Sequence, residues 1–238
     1  MVDLELEDGL AVITINRPQA RNAIAPETMD QLDDALDRAR DALALAIRGG
    51  GDRAFVSGGD LKELAKLRTL EQAADMARRM RGICDRIAAF PGPVVAALNG
   101  HALGGGAEVA VAADIRIAAD DIKIGFNQVS LAIMPAWGGA ERLAALVGRG
   151  RALLLAGSGT ILDAAGAARV GLVDQVVPRA TFDETWRSVA RSLTNRSAGD
   201  IKRVIGGATP EEAVDAFARL WVHDDHWAAA DKVLSAKK

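Results

Sequence analysis

The chain has no tyrosine, one cysteine and three histidines among its 238 residues. A single thiol, Cys84, excludes an intramolecular disulfide, and with His101, His223 and His226 as the whole imidazole complement no clustered metal site is visible. Cys84 lies in a helical pattern, where a thiol behaves as a small core residue rather than a nucleophile. A large excess of either charge is missing too: a net charge of -3 gives no reason to expect nucleic acid or an anionic membrane as a partner. No apolar run is long enough to span a bilayer and no charged-then-apolar leader is visible, so a cytoplasmic protein is expected. What remains is ordinary for a globular protein, with 50% hydrophobic and 26% charged residues. The length fits one large α/β domain, or one with a small appendage.

Glycine is present and clustered. The stretch PVVAALNGHALGGGAE at 93–108 begins as a β-branched strand, turns at Asn99-Gly100, passes Gly104, Gly105 and Gly106, and enters a small-residue helix. It has neither the G-x-G-x-x-G spacing of a dinucleotide site nor the G-K-[ST] ending of a phosphate loop. Two readings are open. Three glycines let a helix pack tightly on a strand, with Glu108 at a solvated edge. Alternatively, backbone without Cβ atoms approaches a ligand closely, and the helix start offers unpaired N–H groups to an anion.

Taken in order, residues 3–16 read as two strands joined at Asp8-Gly9, a strong hairpin dipeptide. Pro26 suits a first helical turn, and Met29, Leu32, Leu36, Ala39 and Leu43 follow at helical spacing. Ala44 to Arg48 reads as a short buried strand. Ser57-Gly58-Gly59-Asp60-Leu61 is a second glycine loop, with Asp60 placed to cap the helix after it. Residues 70–89 form a longer helix with Met76, Met80, Ile83 and Ile87 on one stripe, a core pattern. After the triple glycine a short helix is expected to about Ala113. Residues 114–119, about 122–126 and 172–177 read as strands, and 150–168 as alanine-rich helical pieces. Gly138-Gly139 makes another small-residue turn before a helix. From 181 the pattern is helical throughout: 181–194, 197–206 and 210–230, with Trp221 and Trp227 packing the tail on something large. The expected architecture is an α/β core over 1–180 with a C-terminal helical region over 181–238.

Five segments, SGGDL at 57–61, NGHALGGGAE at 99–108, ADIRIA at 113–118, MPAWGGAERL at 134–143 and ARVGLVDQVV at 168–177, resemble in content and order the crotonase superfamily, the enoyl-CoA hydratase/isomerase family. The resemblance implies a crotonase (ClpP-like) spiral of ββα turns, a homotrimer or hexamer, and an acyl-CoA thioester as substrate, with coenzyme A part of that substrate and no separate cofactor. It places the oxyanion-hole N–H groups at Gly59 and Gly105 and the catalytic carboxylate at Glu108. It sets Ser57, Asp60 and Leu61 beside the substrate, Arg21 and Ala23 near the adenine and phosphates, and Trp137 at the acyl pocket or in the core. His101 reads as a loop residue.

One departure stands out. Family hydratases carry a second glutamate seven residues before the proline of the I-P-G-like segment; here that position is Gln128, and an amide exchanges no proton near neutral pH. Glu141, at a helix start where its charge is favourable, replaces the missing acid only if it faces inward. Loss of CO2 from a malonyl-type thioester needs no base, and the chain looks most like the ethylmalonyl-CoA decarboxylase branch. The favoured reaction at this level is therefore decarboxylation of a short alkylmalonyl-CoA. Hydration of a 2-enoyl-CoA and a catalytically silent acyl-CoA binder are the alternatives.

Overall fold

The computed structural model describes residues 1–235. The chain runs β1 (Val2–Glu7), β2 (Leu10–Ile15), α1 (Pro26–Ala39), β3 (Ala44–Gly49), β4 (Ala54–Val56), α2 (Leu61–Leu64), α3 (Leu70–Ala88), β5 (Val94–Leu98), β6 (His101–Leu103) and α4 (Gly105–Ala110). It continues through β7 (Ile115–Ala119), β8 (Lys123–Gly125), α5 (Gly139–Val147), α6 (Arg149–Ser158), β9 (Ile161–Asp163), α7 (Ala164–Arg169) and β10 (Gln175–Val177). Helices α8 (Phe182–Ser192), α9 (Arg196–Ile205), α10 (Pro210–Trp221) and α11 (Asp224–Ser235) complete it.

A six-stranded sheet has the order β1-β2-β3-β5-β7-β10, and a four-stranded sheet the order β4-β6-β8-β9. Three times in succession the chain lays one strand in the large sheet and the next in the small one: β3 then β4, β5 then β6, β7 then β8. This is the crotonase spiral of ββα turns, closed by C-terminal helices. In the β1–β2 hairpin Asp8 and Gly9 both take positive φ, 40° and 84°, as a two-residue hairpin turn requires. Every other pairing in the large sheet is parallel. Parallel strands are covered on both faces, which is why LAVITI and VVAAL are nearly continuous apolar runs, buried along almost their whole length.

The small sheet departs from expectation. Its strand β6 lies within the stretch that reads as the Asn99–Gly106 turn and loop, and β9 within the stretch that reads as alanine-rich helix. Each is three residues long, too short to display a period of two. The strand expected over 172–177 is confined to Gln175–Val177, and the helix expected over 210–230 breaks between Trp221 and Asp224.

Helix α1 begins at Pro26 and buries Met29, Leu32, Leu36 and Ala39. Helix α3 is opened by a Thr69/Gln72 capping box and buries Met80, Ile83, Cys84 and Ile87. Burial pushes the Cys84 thiol up to about 12, so it stays protonated and inert at neutral pH. Helix α8 lies on the large sheet, in contact with β3, β5 and β7, with Trp186 fully buried; it is part of the core. Helices α9 to α11 are more open, leaving Trp221 and Trp227 about half exposed. Two of the family-like segments are tied together by an ion pair from the buried Arg116, its Nη2 2.6 Å from Oδ2 of the more exposed Asp174. Among the described residues, no helix is long and apolar enough to cross a membrane.

Candidate active site

Strands β4 and β6 are parallel neighbours in the small sheet, so the glycine loops leaving their C-terminal ends lie side by side. In the first loop Ile24 donates its N–H to the Gly58 carbonyl at 2.8 Å and accepts from the Asp60 N–H at 2.8 Å. That parallel bridge turns the Gly59 N–H to the other side, where it has no acceptor among the described residues. In the second loop Gly104, at φ 55°, donates to the Gly125 carbonyl, and the N–H groups of Ala107 and Glu108 turn back to the Gly104 carbonyl. The Gly105 N–H is left without an acceptor among the described residues.

The two loops touch. A methyl on Gly58 would lie 3.5 Å from the Gly105 nitrogen. One on Gly105 would sit 2.1 Å from the Trp137 ring, and one on Gly59 3.9 Å from the same ring. Both glycines therefore border one indole. Gly106 serves the packing reading instead, since a methyl there would fall 1.8 Å from the Val56 carbonyl oxygen.

Glu108 is at no solvated edge; it is only 2% exposed. Its Oε2 accepts from the main-chain N–H of Trp137 at 2.7 Å and of Gly139 at 3.0 Å. Its Oε1 accepts from Gln128 Nε2 at 2.9 Å. Burial raises the Glu108 pKa above the ordinary carboxylate value, and the N–H groups of Gly139 and Trp137 and the Gln128 amide offset part of that rise. Gly139 makes the cradle possible, because a methyl there would lie 2.3 Å from Glu108 Cγ. Gln128 is itself buried, and facing its NH2 to the carboxylate leaves its Oε1 without a partner.

A cavity of about 260 Å³ opens in front of these groups. Ser57, Gly59, Leu61, Gly105, Glu108, Gln128 and Trp137 all line it, with an apolar wall that includes Leu64, Met76, Ile133 and Met134. Trp137 meets both expectations at once, packed in the core at 6% exposure and lining the cavity. Ser57 also borders a second cavity of about 550 Å³, lined by Arg21, Arg53, His101 and Arg179.

Ala23 and Asp60 line neither cavity. Ala23 is buried and its carbonyl accepts from Arg17 Nη1 at 2.5 Å. Asp60 pairs with Arg17 Nη2 at 3.0 Å and caps α2 through the N–H groups of Lys62 and Glu63. Burial opposes its ionisation, but the Arg17 guanidinium and the two N–H groups outweigh that and hold its carboxyl below the usual value. His101, expected in a loop, instead opens strand β6; its Nδ1 accepts from the Lys123 N–H at 3.1 Å and it lines the second cavity. Glu141 faces outward, its side chain 61% exposed and bonded to Arg81 Nη1 at 2.8 Å, so it does not replace the missing acid. The cradle of Glu108 escaped sequence reasoning; the Gly138-Gly139 pair was its signal. Arg179, whose Nη1 reaches the Asn99 carbonyl at 2.5 Å across 80 residues, gave none.

The family model described as enoyl-CoA hydratase/isomerase matches residues 5–206. The chain is 40% identical over 195 residues to a crotonyl-CoA hydratase of Syntrophomonas wolfei, a match covering 80% of this chain and 75% of that one. It is 36% identical over 209 residues to a short-chain-enoyl-CoA hydratase of Clostridium acetobutylicum, covering 84% and 78%. Among solved structures it is similar to an enoyl-CoA hydratase from Thermoplasma volcanium, with TM-score 0.87, 33% identity and coverage of 97% and 96%. A second, from Bacillus anthracis, gives TM-score 0.88 at 27% identity, covering 100% and 96%. These names support the hydratase alternative over the decarboxylase branch that the lone acid favoured. With five ordered motifs, the spiral core and a family match over most of its length, the chain belongs to the enoyl-CoA hydratase/isomerase family of the crotonase superfamily.

Proposed function

We propose that this chain is an enoyl-CoA hydratase that adds water to short 2-enoyl-CoA thioesters through a thioester enolate. One observation carries the reading: the unpaired N–H groups of Gly59 and Gly105 front the same cavity as the buried carboxylate of Glu108. In this mechanism the thioester oxygen accepts from both N–H groups. Water, held by Glu108, attacks C3, and Glu108 takes its proton as the negative charge moves to the thioester oxygen. Glu108 then returns that proton to C2, so one carboxylate serves both steps. The Gln128 amide holds Glu108 from Nε2, and its unpartnered Oε1 is an acceptor for the water's second O–H. Each oxyanion donor contributes roughly a hundred- to thousandfold, and acid–base transfer about 10²–10⁴-fold.

The pantetheine arm passes Ser57, common wall of the two cavities, and the phosphates meet Arg21, Arg53 and Arg179. Leu61 and Trp137 bound the acyl group, while Ala23 and Asp60 support the loop through Arg17. The chemistry calls for no cofactor beyond the coenzyme A of the substrate. The half-exposed Trp221 and Trp227 support a homotrimer or hexamer that covers them, and light scattering that returned a monomer would refute it.

A second reading draws on Gln128. With one titratable group in place of two, decarboxylation of a short alkylmalonyl-CoA remains chemically open: the C–C bond electrons pass into the enolate, CO2 leaves, and one acid protonates the carbon. The test runs both assays on the purified protein, crotonyl-CoA hydration by loss of the enoyl-thioester absorbance and CO2 release from methylmalonyl- and ethylmalonyl-CoA. Hydration is expected. CO2 release without hydration replaces the first reading with the second, and tight binding with no turnover of any thioester makes the chain a binder.

A further inference from the structure

The methionine stripe of α3 contains one member unlike the rest. Met80, Ile83 and Ile87 are buried in the core, whereas Met76 is only half-buried and borders two hollows at once. On one side is the cavity of about 260 Å³ in front of Gly59, Gly105 and Glu108. On the other is a hollow of about 290 Å³ between α1 and α3, which Met76 lines with Pro26, Met29 and Leu67 and with the polar side chains of Gln72, Asp75 and Arg79. Met76 is thus a wall shared by both. Methionine is unbranched, with three rotatable bonds and a polarizable sulfur, so it closes a gap without fixing its shape. No hydrogen bond has to be broken to move or remove it. The first cavity alone falls short of an ordinary ligand pocket of roughly 300–1,000 Å³; joined to the second it lies within that range.

We propose that Met76 sets the acyl-chain length. Its side chain ends the acyl cavity and confines the wild-type site to short acyl groups. The hollow against Met29 and Leu67 receives the tail of a longer chain once that side chain is cut back. This rests on the reading of the first cavity as the acyl-CoA site.

The test compares wild type and Met76→Ala with butyryl-CoA and decanoyl-CoA, by calorimetric Kd, and with crotonyl-CoA and 2-decenoyl-CoA, by kcat/KM. Each methylene newly buried is worth about fourfold in affinity. The long-to-short affinity ratio of Met76→Ala should therefore rise at least about tenfold, with kcat/KM moving in the same direction. Adding Leu67→Trp, which fills the outer hollow, should bring the ratio back toward wild type. If Met76→Ala does not fold, Met76→Val, shorter yet apolar, gives the same direction at smaller size. A folded variant with an unchanged ratio overturns the proposal. A wild type that binds neither thioester is a different failure and overturns the acyl-CoA reading beneath it.

Discussion

The two glycine loops at the cavity share a design and then diverge. Each follows a three-residue strand of the small sheet, leaves one N–H unpaired and opens a helix. After Gly59 the helix is four residues long, buries none of them and is capped by the Asp60 side chain, itself held by Arg17. After Gly104 the helix has no side-chain cap and every residue of it is buried. The first loop is tethered by hydrogen bonds to the buried Ile24 and by a largely buried ion pair. The second is wedged, with Gly105 against Trp137 and Gly106 against Val56. One N–H is therefore held by side-chain packing, and the other by hydrogen bonds and an ion pair.

The largest effect should come from the wedged side. Glu108→Gln removes the one titratable group that bonds Gln128 among the described residues, and hydration should fall about 10²–10⁴-fold. The fold should survive, because Gln128 can turn its amide over to meet the new NH2. The pH behaviour has a definite sign. Glu108 must be ionised to take the water's proton, so the acid limb of wild-type kcat/KM should lie above the ordinary glutamate range near ~4.3. Because its folded pKa is raised, the carboxyl favours the fold below its unfolded pKa and loses that contribution as pH rises through the folded value. Glu108→Gln should thus gain stability relative to wild type at neutral pH, a gap that closes in acid. An acid limb at or below the ordinary glutamate value would break this account.

The comparison predicts unequal responses to one added methyl. On Gly105 it would collide with the Trp137 ring at 2.1 Å, so Gly105→Ala must displace either the indole or the N–H. Activity should fall roughly a hundred- to thousandfold, as when an oxyanion donor is lost. On Gly59 it would meet the Leu64 Cδ1 at 2.7 Å, the end of a half-buried side chain that can rotate away. Gly59→Ala should cost clearly less in kcat. Equal losses from the two variants would erase the distinction between wedge and tether.

How far the sequence foretold this arrangement follows from the distance over which each part is held. The large sheet was legible because buried parallel strands are written as apolar runs. Strands β6 and β9 were not, being too short to carry a period. The glycine loops were legible as loops, but the cradle of Glu108 is made by main-chain N–H groups 29 and 31 residues away, which carry no side-chain signature. The Arg116–Asp174 tie likewise joins residues 58 apart. Gln128 was found only through family spacing. One missing acid favours decarboxylation, whereas similarity over 84% and 80% of the chain is to proteins named as hydratases.

Gln128→Glu tests that point directly. A second carboxyl would sit where the amide now bonds Glu108 at 2.9 Å, and two carboxyls so close share a proton. Crotonyl-CoA hydration should rise by about tenfold, less than the roughly 10²–10⁴-fold typical of an acid–base group, because Glu108 already serves both proton transfers. Its acid limb should move further up in pH. Flat hydration in a folded variant would mean that Gln128 does not stand in the place of the missing acid.

The smallest effect belongs to the tether. Asp60→Ala removes the cap of α2 and the partner of Arg17, at a cost of about 1 kcal/mol. For a chain of this size that is roughly 2–4 °C in Tm. Here the pH sign is opposite to that of Glu108. The Asp60 pKa is lowered on folding, so its stabilisation is present above the unfolded value near ~3.9 and is lost as pH falls through the folded one. Wild type and Asp60→Ala should therefore differ in Tm at neutral pH and converge in acid. Glu108→Gln and its wild type also converge in acid, but from the other side, with the variant the more stable at neutral pH. If Asp60→Ala were instead the more stable at neutral pH, the ion pair would not be what holds the Gly59 loop, and the Gly59 donor would owe its position to packing as the Gly105 donor does.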